Sequence, residues 1–386
     1  MEPAMDFKKL LLPCIAGLGL VSPVSAQAPA ARPGASEPAP EAAKWHVQAG
    51  AGFYLLQPYS GNNPAYSITT SDTRNAGNTV SGTSRTEQFG WSMQPALEAW
   101  VEATSPSGLG LRARYFYLDG ASNEANLSVP ASRYNSTTSP AIAVTPSPFL
   151  FNSPPGTVPQ QNPALAGLFG GPSPFVVNFP GAPASVDRFA FRSELRINTG
   201  DLELSGVLYG DQFELTGGLG GRYFQMKQSY GATLINSNGA GAILSESLDS
   251  SRTFEGGGPT LSAQLRWHPL MNNLSLFAGG RGSFVVGQVQ QLTTGNRTLN
   301  DPTGAFNPIG APTSISNSFS IPNAYAETIP IAELELGAEY AVVRKTCTMF
   351  VRGAAVEQTY FGAGNATRAD GNLTLFGFKV TGGINY

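Results

Sequence analysis

The connections between hydrophobic segments constrain this chain most, because short and long connections alternate along its whole length. The short ones occupy residues 105–108, 209–211, 269–272 and 344–345. The long ones are polar and occupy residues 59–84, 120–186, 229–251, 292–324 and 362–371. A soluble β-sandwich has no reason to keep all of its short turns at one end. Barrels of the bacterial outer membrane do, since their periplasmic turns are short and their extracellular loops are longer.

Between these connections, apolar and polar residues alternate with a period of two. In the first segment, Val47, Phe53 and Leu55 share one parity, and His46 and Gln48 share the other. Such alternation predicts strands with one apolar and one polar face. We predict ten strands, at residues 45–55, 89–102, 109–117, 188–208, 212–228, 252–267, 273–290, 325–343, 346–361 and 372–386. The predicted fold is all-β, a transmembrane antiparallel up-and-down β-barrel, for which an even strand number is typical.

The fourth predicted strand contains a break in this alternation. Its apolar residues change parity between the pair Leu195 and Ile197 and the pair Leu202 and Leu204. A β-bulge near Gly200 would keep both pairs on one face of the sheet, because a bulge adds one residue to one strand. A hairpin at residues 199–200 is the alternative. The sequence leaves both interpretations open.

Composition separates the chain from other classes of protein. Only 13% of the residues are charged, whereas an average soluble domain carries about 25%. No apolar run reaches the ~18 residues expected of a membrane-spanning helix. The net charge of −3 provides no basic surface for nucleic acid, which is therefore not an expected partner.

The N-terminus is typical of a secretory signal peptide, which we place at residues 1–26. Lys8 and Lys9 precede a short apolar segment, and residues 24–26 form a small-residue cleavage site. Cys14 lies in the apolar segment and raises lipidation as an alternative, although Pro13 fits a lipidation motif poorly. We therefore predict that the chain is exported and resides in the cell outer membrane.

The predicted mature chain has two parts. Residues 27–44 are rich in Ala, Pro and Glu, which is typical of a flexible or polyproline-like leader, here in the periplasm. Residues 45–386 form the predicted barrel, with a long extracellular loop at residues 120–186. After cleavage Cys347 is the one cysteine left, so no disulfide is expected to stabilise the barrel.

The end of the last predicted strand carries a second export feature. Apolar residues alternate with polar or small ones up to the terminal carboxylate, at Phe376, Phe378, Ile384 and Tyr386. This pattern resembles the C-terminal signal that the barrel-assembly machinery reads, which makes that machinery a predicted partner. Outer-membrane lipid and lipopolysaccharide are further expected partners, and a homo-oligomer is left open.

Several strand segments also resemble one known family. The segments are residues 108–117, 201–204, 215–223, 258–261, 273–278, 332–337 and 373–378. They occur in the order of, and are similar to, segments of the Legionella-type major outer-membrane proteins, which are generally described as pore-forming. None of them is a catalytic motif, so the resemblance implies an architecture and a pore but no substrate. The loop at residues 120–186 has no counterpart in this resemblance.

Charged residues of the polar parity are candidates for lining the lumen. If the apolar parity of every strand faces lipid, the charged side chains facing inward are Arg112, Arg114, Arg188, Arg192, Arg196, Glu98, Glu102, Glu333, Glu335 and Glu339. Opposed clusters of charge set ion selectivity in pores. The alternative is that these charges pair with one another and fill a narrow barrel, since barrels with few strands are filled by side chains.

Enzymatic chemistry has little support in the sequence. The chain has two histidines, His46 and His268, both at predicted periplasmic ends of strands. A Ser-His-Asp arrangement at the extracellular rim therefore lacks its base. No His/Cys cluster has the spacing of metal ligands. We expect no catalytic residues, no cofactor and no metal.

Two functions remain open. In the first, the protein is a porin-like barrel that allows passive diffusion of small hydrophilic solutes or ions. In the second, it is a non-conducting structural or adhesive barrel whose extracellular loops bind a partner. The loop at residues 120–186 discriminates between them, because loops of this length are usually functional or disordered.

Overall fold

A computed structural model describes residues 45–61, 63–71, 83–130, 141–146, 186–210, 212–237, 243–268, 273–302, 312–367 and 371–386. The signal peptide and leader predicted for residues 1–44 lie outside the described residues, as does most of the predicted loop 120–186. All regular secondary structure in the described part of the chain is β-strand. The described residues form no helix that could span a bilayer.

The described strands follow one another in a simple order. They are β1 (His46–Ser60), β2 (Pro64–Ser71), β3 (Thr83–Gln88), β4 (Gln94–Thr104), β5 (Leu109–Ala121), β6 (Ala125–Pro130), β7 (Ala141–Pro146), β8 (Val186–Tyr209), β9 (Phe213–Ser237), β10 (Ile243–Trp267), β11 (Leu274–Asp301), β12 (Thr313–Val343), β13 (Thr348–Tyr360) and β14 (Leu373–Asn385). Because β8 to β12 have 24 to 31 residues each, they are far longer than the ~9–11 residues needed to cross a membrane as a tilted strand.

Ten of the described strands close into an antiparallel ring in the order β1, β4, β5, β8, β9, β10, β11, β12, β13 and β14. The last strand pairs with the first. At this seam Val47 and Tyr386 exchange backbone hydrogen bonds, with N–O distances of 3.2 and 2.9 Å. The predicted ten-stranded up-and-down barrel is confirmed.

The remaining described strands lie in segments that the sequence assigned to long connections, except that β3 extends beyond residue 84 to Gln88. Strand β6 pairs with the N-terminal end of β8. Strand β2 pairs with β3 and β7 in a separate three-stranded sheet. The long connections at residues 59–84 and 120–186 therefore carry strands of their own. They are all at the end of the barrel opposite the short turns.

The short turns at residues 105–108 and 344–345, both within the described part of the chain, are tight, as predicted. In the turn at residues 105–108, the Gly108 amide donates to the Ser105 carbonyl at 2.9 Å. Gly108 has a φ of 83°, which favours glycine. A Cβ atom there would lie 3.2 Å from the Val207 carbonyl oxygen, a close contact that a larger residue would relieve only by a small shift of β8. This turn identifies the periplasmic end of the barrel, since short turns face the periplasm.

Strand β8 contains neither the bulge nor the hairpin considered near Gly200. Its pairing with β9 runs in unbroken register, with Leu195 opposite Gln228 and Leu204 opposite Leu219. Because the register is unbroken, the change of apolar parity in the sequence puts the apolar residues of the two parts of β8 on opposite faces of the sheet. Leu195 is 3% exposed inside the barrel, whereas Leu204 is 67% exposed on its outer wall.

The reason is a change of environment along the strand. Tyr115, Gly200 and Tyr223 pair across three strands at one level. We call the barrel from the short turns up to this level the membrane half, and the barrel beyond it the extracellular half. Residues 201–209 of β8 lie in the membrane half, and their length matches the ~9–11 residues of a membrane-crossing strand. In this half Leu202, Leu204 and Leu208 of β8 face outward, toward lipid.

In the extracellular half the apolar face turns inward. On β9, Leu215 and Leu219 face outward below Tyr223, whereas Phe224 and Met226 above it are buried inside the barrel. Lys227 lies on the outer wall at this higher level. The wall is surrounded by water here, so burying apolar side chains inside is favoured.

Candidate functional site

Ion pairs cross the lumen of the membrane half. Arg114 is central: its guanidinium lies 2.6 Å from the Glu98 carboxylate, 2.8 Å from that of Glu333 and 3.4 Å from that of Asp201. Arg222 lies 2.6 Å from both the Asp201 and Glu333 carboxylates. Two arginines therefore share three carboxylates, which come from β4, β8 and β12 and meet across the barrel.

Further pairs surround this centre. They are Arg112 with Glu102, Arg281 with Glu203 and Glu333, Arg266 with Glu214 and Glu339, Arg352 with Glu339, and Lys379 with Glu98 and Glu335. We call these residues, with the central five, the charge network. Its cations are seven and its carboxylates eight, so the two signs nearly balance. Removing one partner of a buried ion pair costs about 3–5 kcal/mol, so the stability of the barrel depends on this pairing.

A polar cavity of about 460 Å³ begins within the network, where Glu98, Arg114 and Glu333 line it. Its lining includes His46, Gln48, Tyr209 and Glu214, together with the turn at residues 105–108. These residues lie at the periplasmic end of the barrel. The cavity therefore extends from the charge network toward the periplasm.

Above the network, apolar side chains close the lumen. The residues that meet here are 0–4% exposed and come from nine strands of the ring: Tyr54, Leu56, Phe116, Leu118, Leu195, Ile197, Phe224, Met226, Phe254, Val285, Val289, Ile329, Ile331, Val356, Tyr360, Leu373 and Leu375. We call them the apolar layer. Ring centroids lie 5.4 Å apart for Tyr54 and Phe116, and 5.3 Å apart for Phe224 and Tyr360. The Tyr54 hydroxyl donates to Glu98 at 2.5 Å and joins this layer to the network.

The connection between β13 and β14 also folds into the barrel. We call residues 361–372 the inner loop, of which the structure describes 361–367 and 371–372. Ala363 is fully buried and Ala366 is 3% exposed. Gly362 and Gly364 have φ angles of 66° and 60°, a conformation that favours glycine. The sequence placed this segment among the extracellular loops, but it turns inward.

Side chains of the extracellular half hold the inner loop by its backbone carbonyls. Gln228 donates to the Gly364 carbonyl at 3.0 Å, Ser250 to that of Ala366 at 2.8 Å, and Gln291 to the same oxygen at 3.2 Å. The Arg252 guanidinium donates to the Ala363 carbonyl and pairs with Glu327. The inner loop therefore lies on the apolar layer as a second barrier.

The structure brings together most of the charged residues that the sequence singled out. Arg112, Arg114, Glu98, Glu102, Glu333, Glu335 and Glu339 all belong to the charge network. They are paired with one another or with close neighbours. An effect on ion selectivity stays a prediction.

The structure corrects the placement of Arg188, Arg192 and Arg196. These residues lie on the outer wall of β8, and the side chains of Arg192 and Arg196 are 68% and 51% exposed. The prediction assumed that Leu195 and Ile197 face lipid, which put the arginines in the lumen. Because these leucine and isoleucine side chains face inward in the extracellular half, the arginines face water.

Sequence reasoning missed several members of the network. They are Asp201, Glu203, Glu214, Arg222, Arg266, Arg281, Arg352 and Lys379. A signal was present for some of them: Asp201 and Glu203 alternate with the lipid-facing Leu202 and Leu204. Assigning parity separately below and above Gly200 would have found these two.

The predicted assembly signal lies on β14. Phe376 and Phe378 face outward and are 44% and 58% exposed, and Tyr386 at the periplasmic end is 64% exposed. Ile384 is partly exposed. Recognition by the assembly machinery stays a prediction.

The two histidines lie apart at the periplasmic end. His268 has Nδ1 3.2 Å from the Ser275 hydroxyl, and His46 lines the cavity. Within the described residues, no group of three or more His, Cys, Asp or Glu side chains is arranged to hold a metal ion.

Comparison with known proteins identifies the family to which the chain is similar. The family of the Legionella pneumophila major outer membrane protein precursor matches residues 38–382, which is most of the chain. No curated protein sequence matches. This family assignment agrees with the outer-membrane barrel seen in the strand pairing.

Solved outer-membrane proteins are similar over much of their length but at low identity. The outer membrane protease OmpT from Escherichia coli is 12% identical, with 88% of this chain and 96% of that chain covered and a TM-score of 0.39. A Pseudomonas aeruginosa FadL homologue is 8% identical, with 89% and 90% covered and a TM-score of 0.22. The P. putida toluene transporter TodX is 8% identical, with 88% and 89% covered and a TM-score of 0.18. At these TM-scores the similarities add no argument about function.

Proposed function

The chain belongs to the Legionella pneumophila major outer membrane protein family. We propose that it is nevertheless a sealed barrel that acts through its cell-surface part, in contrast to the pore that the resemblance implies. The outer membrane is its location. The observation that carries the proposal is the apolar layer, which closes the lumen above the charge network. The proposal assigns no catalytic role to any residue.

The apolar layer opposes the passage of hydrophilic solutes. Leu56, Leu118, Ile197 and Phe224 are fully buried, which leaves no water-filled path between them. An isolated charge transferred into an apolar medium costs tens of kcal/mol in the ideal limit. The inner loop lies over the same region, so a solute would have to displace both barriers.

The extracellular half has the packing of a rigid display platform. A second apolar cluster there joins Phe189 and Phe191 of β8 to Tyr230 and Leu234 of β9. Tyr66 of β2 belongs to the same cluster and stacks on Phe191 at a centroid distance of 4.7 Å. The separate three-stranded sheet is thus packed against the barrel wall. Such a platform would hold the long connections at a fixed position for a partner.

Porin-like passive diffusion is the second candidate function. It is favoured by the polar cavity of about 460 Å³ at the periplasmic end and by charged side chains in the lumen. For this function the inner loop would have to leave and the apolar layer would have to open. The sealed barrel needs no such change.

Conductance in planar lipid bilayers tests the proposal. We expect the purified wild-type barrel to give no ion-conducting steps. A positive control combines a shortened inner loop with Phe116→Ser and Phe224→Ser, which should hydrate the lumen and produce steps. Insertion of both proteins is checked by resistance of the folded barrel to protease. Regular steps from the wild type, with a conductance above the bilayer background, would establish passive diffusion instead.

A further inference from the structure

The outward-facing cations of the barrel wall are concentrated on one side. Within the described residues, the barrel strands carry four such cations: Arg188, Arg192 and Arg196 on β8, and Lys227 on β9. The other described cations of these strands lie on the inward-facing parity. Two adjacent strands therefore hold all of the outward positive charge that the structure describes on the wall.

The depth of these residues relates them to the membrane surface. Tyr115, Gly200 and Tyr223 mark the upper limit of the lipid-facing band. Arg196 lies four residues beyond Gly200, which corresponds to about 10 Å above that level for a tilted strand with a rise of about 3.3 Å per residue. The headgroups of the outer leaflet and the groups just above them lie at this height. Tyrosines commonly sit at the boundary below.

Arg196 and Lys227 stand directly opposite each other in the pairing of β8 with β9. Like charges at such positions are destabilising, because the Cβ atoms are only about 4.5–5.5 Å apart. Arg196 is 2.8 Å from the Asp119 carboxylate. Lys227 makes no hydrogen bond or ion pair with any residue that the structure describes. An anion bound between the two cations would remove this repulsion.

We infer that β8 and β9 hold a binding site for the phosphate groups of lipopolysaccharide on the outer wall of the barrel. Arg196 and Lys227 would contact a phosphate of lipid A, and Arg192 would reach groups farther from the membrane. Phosphate oxygens accept strong charge-assisted hydrogen bonds from both side chains. The acyl chains would lie below, along the exposed Leu204 and Leu219.

Four carboxylates share this part of the wall and balance the four cations. They are Asp119, Glu194, Asp249 and Glu255; Asp249 lies 3.7 Å from Arg192, and Glu255 accepts a hydrogen bond from the Tyr223 hydroxyl at 2.8 Å. Both ion pairs of the patch are at least 44% exposed on each side. Exposed pairs are weak, so the arginines can exchange a carboxylate for a doubly charged phosphate.

Binding of lipid A to the full-length barrel in detergent tests the inference. The probes are bis-phosphorylated lipid A, the same lipid without its phosphates, and phosphatidylglycerol. The test variant is Arg196→Gln with Lys227→Gln. The control variant is Arg85→Gln, which removes an exposed, ion-paired arginine from β3, outside the patch. Heat-modified gel mobility checks that all proteins are folded.

We expect phosphorylated lipid A to bind wild type and the control alike, and the test variant about 100-fold more weakly, or about tenfold per charge-assisted contact. Added salt should weaken the wild-type binding. Equal affinity of test variant and wild type would overturn the inference. So would equal affinity of the wild type for lipid A without phosphates, or for phosphatidylglycerol. The result is independent of whether the lumen conducts.

Discussion

The membrane half and the extracellular half of the barrel are built from the same strands but place their apolar residues on opposite faces. In the membrane half of β8, Leu202 and Leu204 face outward and Asp201 faces inward. In its extracellular half, Leu195 faces inward and Arg196 faces outward. Strand geometry provides only the alternation of sides. The medium outside the wall decides which side is apolar.

The difference also appears in how charge is used. The membrane half buries its charges in the lumen, where Arg222 has a 1% exposed side chain and two carboxylate partners. The extracellular half buries the pair of Arg252 with Glu327 inside the barrel but also places Arg196 on its outer wall with a single exposed partner. A buried ion pair in the lumen and an exposed one on the outer wall should therefore contribute differently to the free energy of unfolding, and substitutions can measure the difference.

The largest effect is expected for Arg222→Met in the membrane half. The substitution leaves Asp201 and Glu333 buried with one fewer cation, and we expect a loss of about 3–5 kcal/mol in the free energy of unfolding. Urea titration in lipid vesicles, followed by tryptophan fluorescence, measures it.

The matched control is Arg196→Met in the extracellular half. It breaks an exposed ion pair, and we expect a change of about 0–1 kcal/mol. If the two substitutions had equal effects, the contrast between buried and surface charge in the two halves would be wrong.

A second substitution tests which face meets lipid. Leu204→Lys places a cation on the outer wall of the membrane half and should cost about 2–4 kcal/mol, depending on depth. The same side chain occurs naturally on the outer wall at Lys227 of the extracellular half. We therefore expect Lys227→Leu to change the unfolding free energy by less than the first substitution does. Unfolding titrations of both variants in the same vesicles decide it.

The barrel was predictable from the sequence because strand pairing depends on local alternation. The short turn closed by Gly108 and the final strand ending at Tyr386 were both placed correctly by this pattern. The lengths of the connections predict the number of strands without specifying which face of each strand meets lipid. The predicted number of strands was therefore correct although the inward and outward faces of β8 were partly assigned wrongly.

The placement of Arg188, Arg192 and Arg196 needed more than alternation. It required the height at which the membrane ends, and the switch from Ile197 to Leu202 is the signature of that height. Reading the switch as a bulge assumed a single environment along the strand. The inward fold of the inner loop was not predictable, because its contacts come from Gln228 and other residues distant in sequence.

A third prediction concerns the response of the extracellular half to pH. Glu246 lies in the extracellular half of β10, outside the membrane-spanning segment, and is 3% exposed. Burial raises the pKa of its carboxyl from 4.5 to about 7, although Arg297 acts in the opposite direction. A carboxyl with a raised pKa favours the folded state at low pH, and this stability is lost as the pH rises through about 7.

Between pH 6 and pH 8 the extracellular half should therefore lose about 1 kcal/mol of stability. Hydrogen exchange of the backbone amides in β10 measures the loss. Glu246→Gln should remove this pH dependence and leave exchange in the membrane half unchanged. If the variant keeps the same pH dependence as the wild type, another group is responsible.

The smallest expected effect concerns the inner loop, which lies on the apolar layer. Gln228→Ala removes the hydrogen bond to the Gly364 carbonyl, and we expect the loop to open more easily by about 0.5–1.5 kcal/mol. Faster hydrogen exchange at residues 361–372 measures the opening. The control is Gln225→Ala on the outward face of the same strand, which loses a bond from Asn198 and should leave the loop unchanged. If both variants opened the loop equally, its position would depend on strand β9 as a whole. The inward-facing side chains of the extracellular half would then not be what holds the inner loop over the apolar layer.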